Sequence, residues 1–196
     1  MSDARGPRTP PMPAIRAVGP DDLDALLRYL RDSVGDNGEG ATPLFMPVPR
    51  GVSAMTPDRV ASFRDGIARA VGEPGWRRIW TARDAASDEI LGHVDLRAQA
   101  SPYSAHRAWL GMGVHRAHRG QGLGRLLLEY AMAQAAAMPG LEWVDLQVLA
   151  GNVAARRLYE RARFVVTGEV ADVFRIDGAK VGEVSMTRAV RRGDMV

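Results

Sequence analysis

The chain has 196 residues, 46% hydrophobic and 25% charged, with a formal net charge of +3 and a pI near 9.8. A chain of this size folds as one domain that buries roughly 70% of the surface its unfolded form exposes. It has no cysteine, which excludes disulfides, zinc–thiolate sites and a cysteine nucleophile, and no apolar run approaches the roughly 18 residues of a membrane span.

The proline- and arginine-rich start, residues 1–12, reads as a disordered leader without the apolar segment of a signal peptide. Residues 13–190 read as one domain and residues 191–196 as a tail. Within the domain, residues 14–18 are a short strand. Pro20-Asp21-Asp22 opens a helix with Leu23, Leu26, Leu27 and Leu30 on one face. Residues 35–53 form a long loop rich in glycine and proline, a length often tied to function. Thr56-Pro57 caps a second helix whose apolar side carries Val60, Phe63, Ile67 and Val71. Residues 76–83, 89–98 and 107–114 are strands, and Val94 and Leu96 alternate with His93, Asp95 and Arg97. A helix follows to about residue 137, with Leu123, Leu126, Leu127, Tyr130 and Gln134 at helical spacing. Residues 141–149 are a strand in which Val144, Leu146 and Val148 oppose Trp143, Asp145 and Gln147. Asn152 caps a helix ending near Arg161. Residues 164–170 and 180–187 are strands joined around Asp177-Gly178. This order predicts an α+β fold, a mixed and mostly antiparallel central sheet flanked by helices.

The segment from Arg119 to Arg125, RGQGLGR, concentrates glycine at the start of an apolar helix. Glycine lets the backbone turn tightly and approach a ligand. A helix N-terminus offers unpaired N–H groups and a partial positive charge, a setting suited to phosphate. The spacing is not that of a dinucleotide fold, G-x-G-x-x-G, and the Gly-Lys-Ser/Thr of a P-loop is missing. Upstream, Gly111 and Gly113 interrupt a strand. Glycine inside a strand marks a bulge or a site where another chain approaches closely, and a bulge would free backbone groups for an extended, amide-containing ligand. A ligand with a pyrophosphate at one end and amides along its arm is coenzyme A.

Arg119-Gly120-Gln121-Gly122-Leu123-Gly124 resembles the Q/R-x-x-G-x-G/A motif of the GCN5-related N-acetyltransferases, the GNAT superfamily. LGMGVHRAHRGQGLGRLLLEYA is similar to that family's strand, turn and helix, and LQVLAGNVAARRLYERARF to its following strand and helix. The resemblance is specific over residues 107–164 and implies the GNAT fold with acetyl-CoA as co-substrate. It implies that Met112, Gly113 and Val114 pair with the pantetheine arm. Gly120, Gln121, Gly122, Leu123, Gly124 and Arg125, with Arg119, would hold the pyrophosphate, and Asn152 would contact the cofactor. Tyr159 matches the tyrosine that family members use as general acid.

Acetyl transfer to an amine requires a neutral amine, a polarised carbonyl and a proton for the departing thiolate. A phenol such as Tyr159 can serve the thiolate. Asp95 is the candidate base, with His93 on the same strand face and His115 as further options. Gln147 stands where N-terminal acetyltransferases carry a glutamate, which argues against that branch. Arg163 stands where the family has a glycine in a turn needing positive φ, a substitution costing about 1 kcal/mol unless the turn adjusts. No histidine cluster has metal-ligand spacing, so no metal is expected.

The leading expectation is an acetyl-CoA-dependent N-acetyltransferase acting on a small-molecule or peptide amine by direct attack in a ternary complex. A non-catalytic acyl-CoA-binding regulatory module is the alternative, motivated by Gln147. A nucleic-acid binder, motivated by the pI, is disfavoured because the arginines are scattered among acids. The expectation includes a cytoplasmic location, a homodimer as the family implies, and neither a nucleic acid nor a membrane as partner.

Overall fold

A computed structural model describes residues 13–190; the expected leader and tail lie outside the described residues. The elements are β1 (Ala14–Ala17), α1 (Leu23–Gly35), α2 (Pro57–Ala68), β2 (Arg77–Arg83), β3 (Ile90–Ala98), β4 (Arg107–Val114), α3 (Leu123–Ala137), β5 (Trp143–Leu149), α4 (Val153–Arg161), β6 (Val165–Ile176) and β7 (Ala179–Ala189). They form one seven-stranded sheet in the order β1-β2-β3-β4-β5-β7-β6. All neighbours are antiparallel except β4 and β5. This is the expected α+β architecture.

Two apolar clusters hold the sheet between helices. Val94, Leu96, Leu110, Val144 and Leu146 pack with Leu127, Leu128 and Ala131 of α3 and Tyr159 of α4. On the other face, Leu26, Leu27 and Leu30 of α1 and Phe63 of α2 pack on Ile79 and Ile90. The period-2 alternation explains the division. In β3, Val94 and Leu96 face α3, so His93, Asp95 and Arg97 face the α1–α2 side.

Two boundaries differ from the sequence expectation. Helix α2 stops at Ala68, so Val71 lies beyond it and is exposed. The backbone becomes extended at Arg69 and then turns through Gly72 and Gly75, both at positive φ. Strand β6 runs to Ile176 instead of ending at residue 170, because it pairs with β7 across two register shifts, Val166/Gly168 and Val170/Phe174. Those bulges break the alternation that marks a strand in sequence.

The long loop after α1 is a built structure. Asn37 is 3% exposed and bonds fully. Its Oδ1 accepts from the N–H groups of Phe45 and Met46, and its Nδ2 donates to the carbonyls of Met46 and Val48. Arg50 then joins the loop to the β6–β7 turn through Asp177, at 2.6 Å.

Candidate active site

The site begins where β4 and β5 part. Their parallel pairing covers Arg107↔Trp143, Ala108↔Val144 and Trp109↔Asp145 and goes no further, although both strands continue. On its other side β4 pairs with β3 in unbroken register from Ala98↔Ala108 to Gly92↔Val114. A bulge at Gly111 and Gly113 is therefore absent; strand divergence frees the backbone instead. His115 N–H donates to Leu91 O at 2.9 Å, which sets the phase of the ladder. Since antiparallel bonding alternates, odd-numbered residues of β4 bond to β3. The N–H and C=O groups of Met112, the C=O of Leu110 and the N–H of Val114 thus face the gap, while Leu110 N–H makes the last bond to β5.

The two strand glycines serve close approach. A Cβ on Gly113 would lie 2.8 Å from His93 Cε1, and one on Gly111 would lie 2.9 Å from Arg97 Nη1 and 3.0 Å from the Asp95 carboxylate. The missing side chains let His93, Asp95 and Arg97 lean across β4 beside the gap.

The glycine turn stands at the end of β4. Gly120 and Gly122 have φ of 75° and 86°, and Gly122 is the N-cap of α3. Gly124 serves packing: its Cβ would lie 3.2 Å from Leu158 of α4. Arg119 donates from Nε to Val114 O at 3.0 Å, pairs with Asp36 at 2.8 Å, and lies over the Phe45 ring at 5.5 Å. It therefore links the turn to the loop after α1. Gln121 donates to Ala117 O, and Arg125 pairs with Glu129 at 2.7 Å along the helix. Leu123 is buried in the core under the turn. Two positive-φ glycines, the unpaired N–H groups that open α3 and the backbone facing the gap suit a pyrophosphate joined to an amide-bearing arm.

Helix α4 borders the same region. Asn152 Oδ1 accepts from Ala155 N–H as its N-cap, as expected. Its C-terminus closes with Phe164 N–H donating to Tyr159 O and Arg163 N–H to Glu160 O, and Arg163 takes φ 65°. These two bonds define a Schellman motif, and the accompanying apolar contact is Tyr159 against Phe164, ring centroids 5.9 Å apart. Burial pushes the Tyr159 phenol up to about 12.

On the other side of β4 from the gap, the polar row of β3 is organised by α1. Tyr29 Oη donates to Gly113 O at 3.2 Å and lies 3.3 Å from His93 Nδ1. With the hydroxyl proton on Gly113, Nδ1 carries the ring hydrogen and Nε2 keeps a lone pair. Burial, aided by the charges of Arg59 and Arg77 against that of Asp95, pushes the imidazole down to about 4, so it is neutral at pH 7. Asp95 is 3% exposed, and both its oxygens accept from Arg97 Nη1, at 3.2 and 3.0 Å. His115 instead contacts Asp32 at 3.0 Å on the surface.

Sequence reasoning missed Asp145, which stands on the same sheet face at the last β4–β5 pair. It accepts from Gln99 at 2.9 Å, Thr187 at 2.7 Å, and both Nε and Nη2 of Arg107. It lines a cavity of about 280 Å³ with Gln99, Trp109 and Ser185. Its only sequence signal is a carboxylate on a strand otherwise built for the core. Among the described residues no group of three or more His, Cys, Asp or Glu is arranged to hold a metal ion, and no helix is long and apolar enough to cross a membrane.

A family model described as Acetyltransferase (GNAT) family matches residues 52–164, more than half of the chain. Among solved structures, an acetyltransferase of GNAT family from Streptococcus pneumoniae superposes with a TM-score of 0.71 at 24% identity, covering 90% of this chain and 98% of that one. An N-acetyltransferase from Staphylococcus aureus Mu50 gives 0.71 at 18% identity, covering 91% and 98%. The protein yncA from Salmonella typhimurium, solved with its cofactor acetyl-CoA, gives 0.72 at 18% identity, covering 94% and 98%.

Proposed function

The chain belongs to the acetyltransferase (GNAT) family, whose co-substrate is acetyl-CoA, and from that premise we propose that it transfers the acetyl group to an amine by direct attack in a ternary complex. The observation that carries this reading is the divergence of β4 and β5 beside the glycine turn. It offers the C=O of Met112 and the N–H of Val114 to a pantetheine arm, with Gly113 between them. The pyrophosphate falls to the backbone of Gly120 to Arg125, with the charge of Arg119 at hand. Asn152, at the head of α4, borders the cofactor.

Met112 N–H, aimed into the gap, donates to the thioester carbonyl oxygen as negative charge develops there. On the acceptor side, His93 Nε2 accepts a hydrogen bond from the amine and orients its lone pair. An imidazole with a pKa near 4 orients better than it deprotonates. Asp95 supplies the negative charge opposite the nitrogen as it becomes cationic, and takes its proton through water. Tyr159 serves the departing sulfur. Its phenol, raised to about 12, is a weaker acid than a free thiol of pKa about 8.5. It therefore stabilises the thiolate mainly as a hydrogen-bond donor.

The test is thiol release from acetyl-CoA across a panel of amines, with no cysteine in the chain to react with the thiol reagent. Amine-dependent release is expected. Replacing Tyr159 with Phe is expected to lower kcat roughly 10- to 1,000-fold, the scale of a lost transition-state donor, with acetyl-CoA affinity unchanged. A wild type that binds acetyl-CoA but releases no thiol with any amine would point to a binding module.

A further inference from the structure

One feature of the acceptor side is left over from this chemistry. Arg77 and Arg97 are direct cross-strand partners in β2 and β3. Like charges in that arrangement repel. Asp95, paired with Arg97, is the one carboxylate in the row. Arg77 is 9% exposed, its guanidinium lies 4.0 Å over the Phe63 ring, and its Nη1 is buried with no hydrogen-bond partner. A buried cation with an unmet donor is costly unless something completes it. Both arginines line a cavity of about 460 Å³ between α2 and the ends of β2 and β3, with Ser62, Asp65 and Arg69. Asp65 and Asp58 stand exposed on the α2 wall and form no ion pair with Arg77 or Arg97. The guanidinium of Arg97 leans over Gly111, next to Met112 and the gap.

We propose that the acceptor amine carries a carboxylate and that Arg77 and Arg97 bind it, so that the substrate class is amino acids or similar amino-carboxylates. This rests on the acetyl-transfer reading of the same site. Three guanidiniums, Arg59 of α2 with Arg77 and Arg97, act on one carboxylate, Asp95, and leave positive charge unmatched in a partly desolvated row that a second carboxylate completes. Burial lowers the Arg77 pKa, which an anion would offset. Along β3 the side chains run from His93 through Asp95 to Arg97. A zwitterion lying along this row meets His93 and Asp95 with its nitrogen and Arg97 and Arg77 with its carboxylate. An amine without an anionic group leaves the cross-strand pair Arg77–Arg97 without that counter-charge.

The experiment compares thiol release for L-amino acids and their C-terminal amides, in the wild type and in Arg77→Met, whose stem still packs on Phe63. The acids are expected to exceed the amides in kcat/KM by roughly 10- to 100-fold, as for a charge-assisted hydrogen bond. That ratio is expected to collapse in Arg77→Met while acetyl-CoA affinity holds. A second readout needs no turnover. The Arg77 Nε–H signal, assigned through Arg77→Met, is followed by NMR as the acids and amides are added. A shift with the acids alone supports the anion site even if no amine is acetylated, which would sink only the transfer reading. Equal turnover of acids and amides, or a signal that ignores the acids, overturns the proposal.

Discussion

At the scale of single residues, environment decides what each group can do. His93 has an ordinary pKa of 6.5 that burial, opposed by the charge of Asp95 and helped by those of Arg59 and Arg77, pushes down to about 4. In the unfolded chain it binds a proton below 6.5; in the folded protein it does so only near 4. Its contribution to stability is full above pH 6.5 and is lost as pH falls through 4. Two outcomes are expected. Denaturation midpoints should drop between pH 6.5 and 4 in the wild type, and less so in His93→Gln. The profile of kcat/KM against pH should show no inflection near 6.5. Arg163 gives a complementary case. It holds the left-handed position of the Schellman turn at φ 65°, where a side chain costs about 1–2 kcal/mol. Arg163→Gly should raise stability by about 0.5–1 kcal/mol in chemical denaturation, since glycine's greater unfolded-state freedom takes back part of the relief. The strain at Arg163 was legible in sequence, because it departs from a motif whose geometry is fixed. The state of His93 was not. Its partner Tyr29 lies 64 residues away on α1, and no local pattern announces that contact.

At the scale of elements, legibility follows the range of the forces. The helices and most strands were readable because their apolar periodicity is local. The glycine turn was readable because a positive-φ corner opening a helix calls for that residue. Of the two readings of the strand glycines, the bulge fails and the close approach holds, and the divergence of β4 and β5 was not legible. Gly111 and Gly113 do mark a close approach, but by His93 and Arg97 of the neighbouring strand. Which strand lies on the other side, and where it peels away, is set by the crossover through α3. The loop after α1 shows the same limit. Its composition reveals a loop, whereas the residue that holds it, Asn37, looks like any loop asparagine. In the fold Asn37 fixes Phe45, Met46 and Val48 with four hydrogen bonds from a nearly inaccessible position. Asn37→Ala strands these backbone groups, each costing about 1–3 kcal/mol where water cannot reach it. The loop should then loosen locally. Hydrogen exchange should rise over residues 44–48, and acceptor KM should rise while acetyl-CoA affinity changes little.

At the scale of the whole molecule, the acceptor side and the cofactor side are joined by charge. The loop after α1 touches the β6–β7 turn through Arg50–Asp177 and the glycine turn through Asp36–Arg119. The second link matters most for ligands, because Arg119 directly precedes the glycine turn that opens the helix end proposed for pyrophosphate. Asp36 competes for it. Its carboxylate is almost enclosed, pairs with Arg119 at 2.8 Å, and has no well-aligned hydrogen bond of its own among the described residues. An anion arriving at the glycine turn must share Arg119 with Asp36 and also feels the repulsion of that carboxylate. Asp36→Asn removes both effects while keeping the shape. Acetyl-CoA should bind about 2- to 5-fold more tightly by calorimetry at low salt, the scale of a partly exposed ion pair, and the gain should shrink as salt is raised. Arg119, no longer held over Phe45, should at the same time loosen the loop after α1; loops of this length shape acceptor pockets, so acceptor KM should rise as cofactor Kd falls. Movement of the two constants in the same direction would mean that Asp36 only supports the fold. Opposite movement would mean that the pair divides one cation between the two substrate sites.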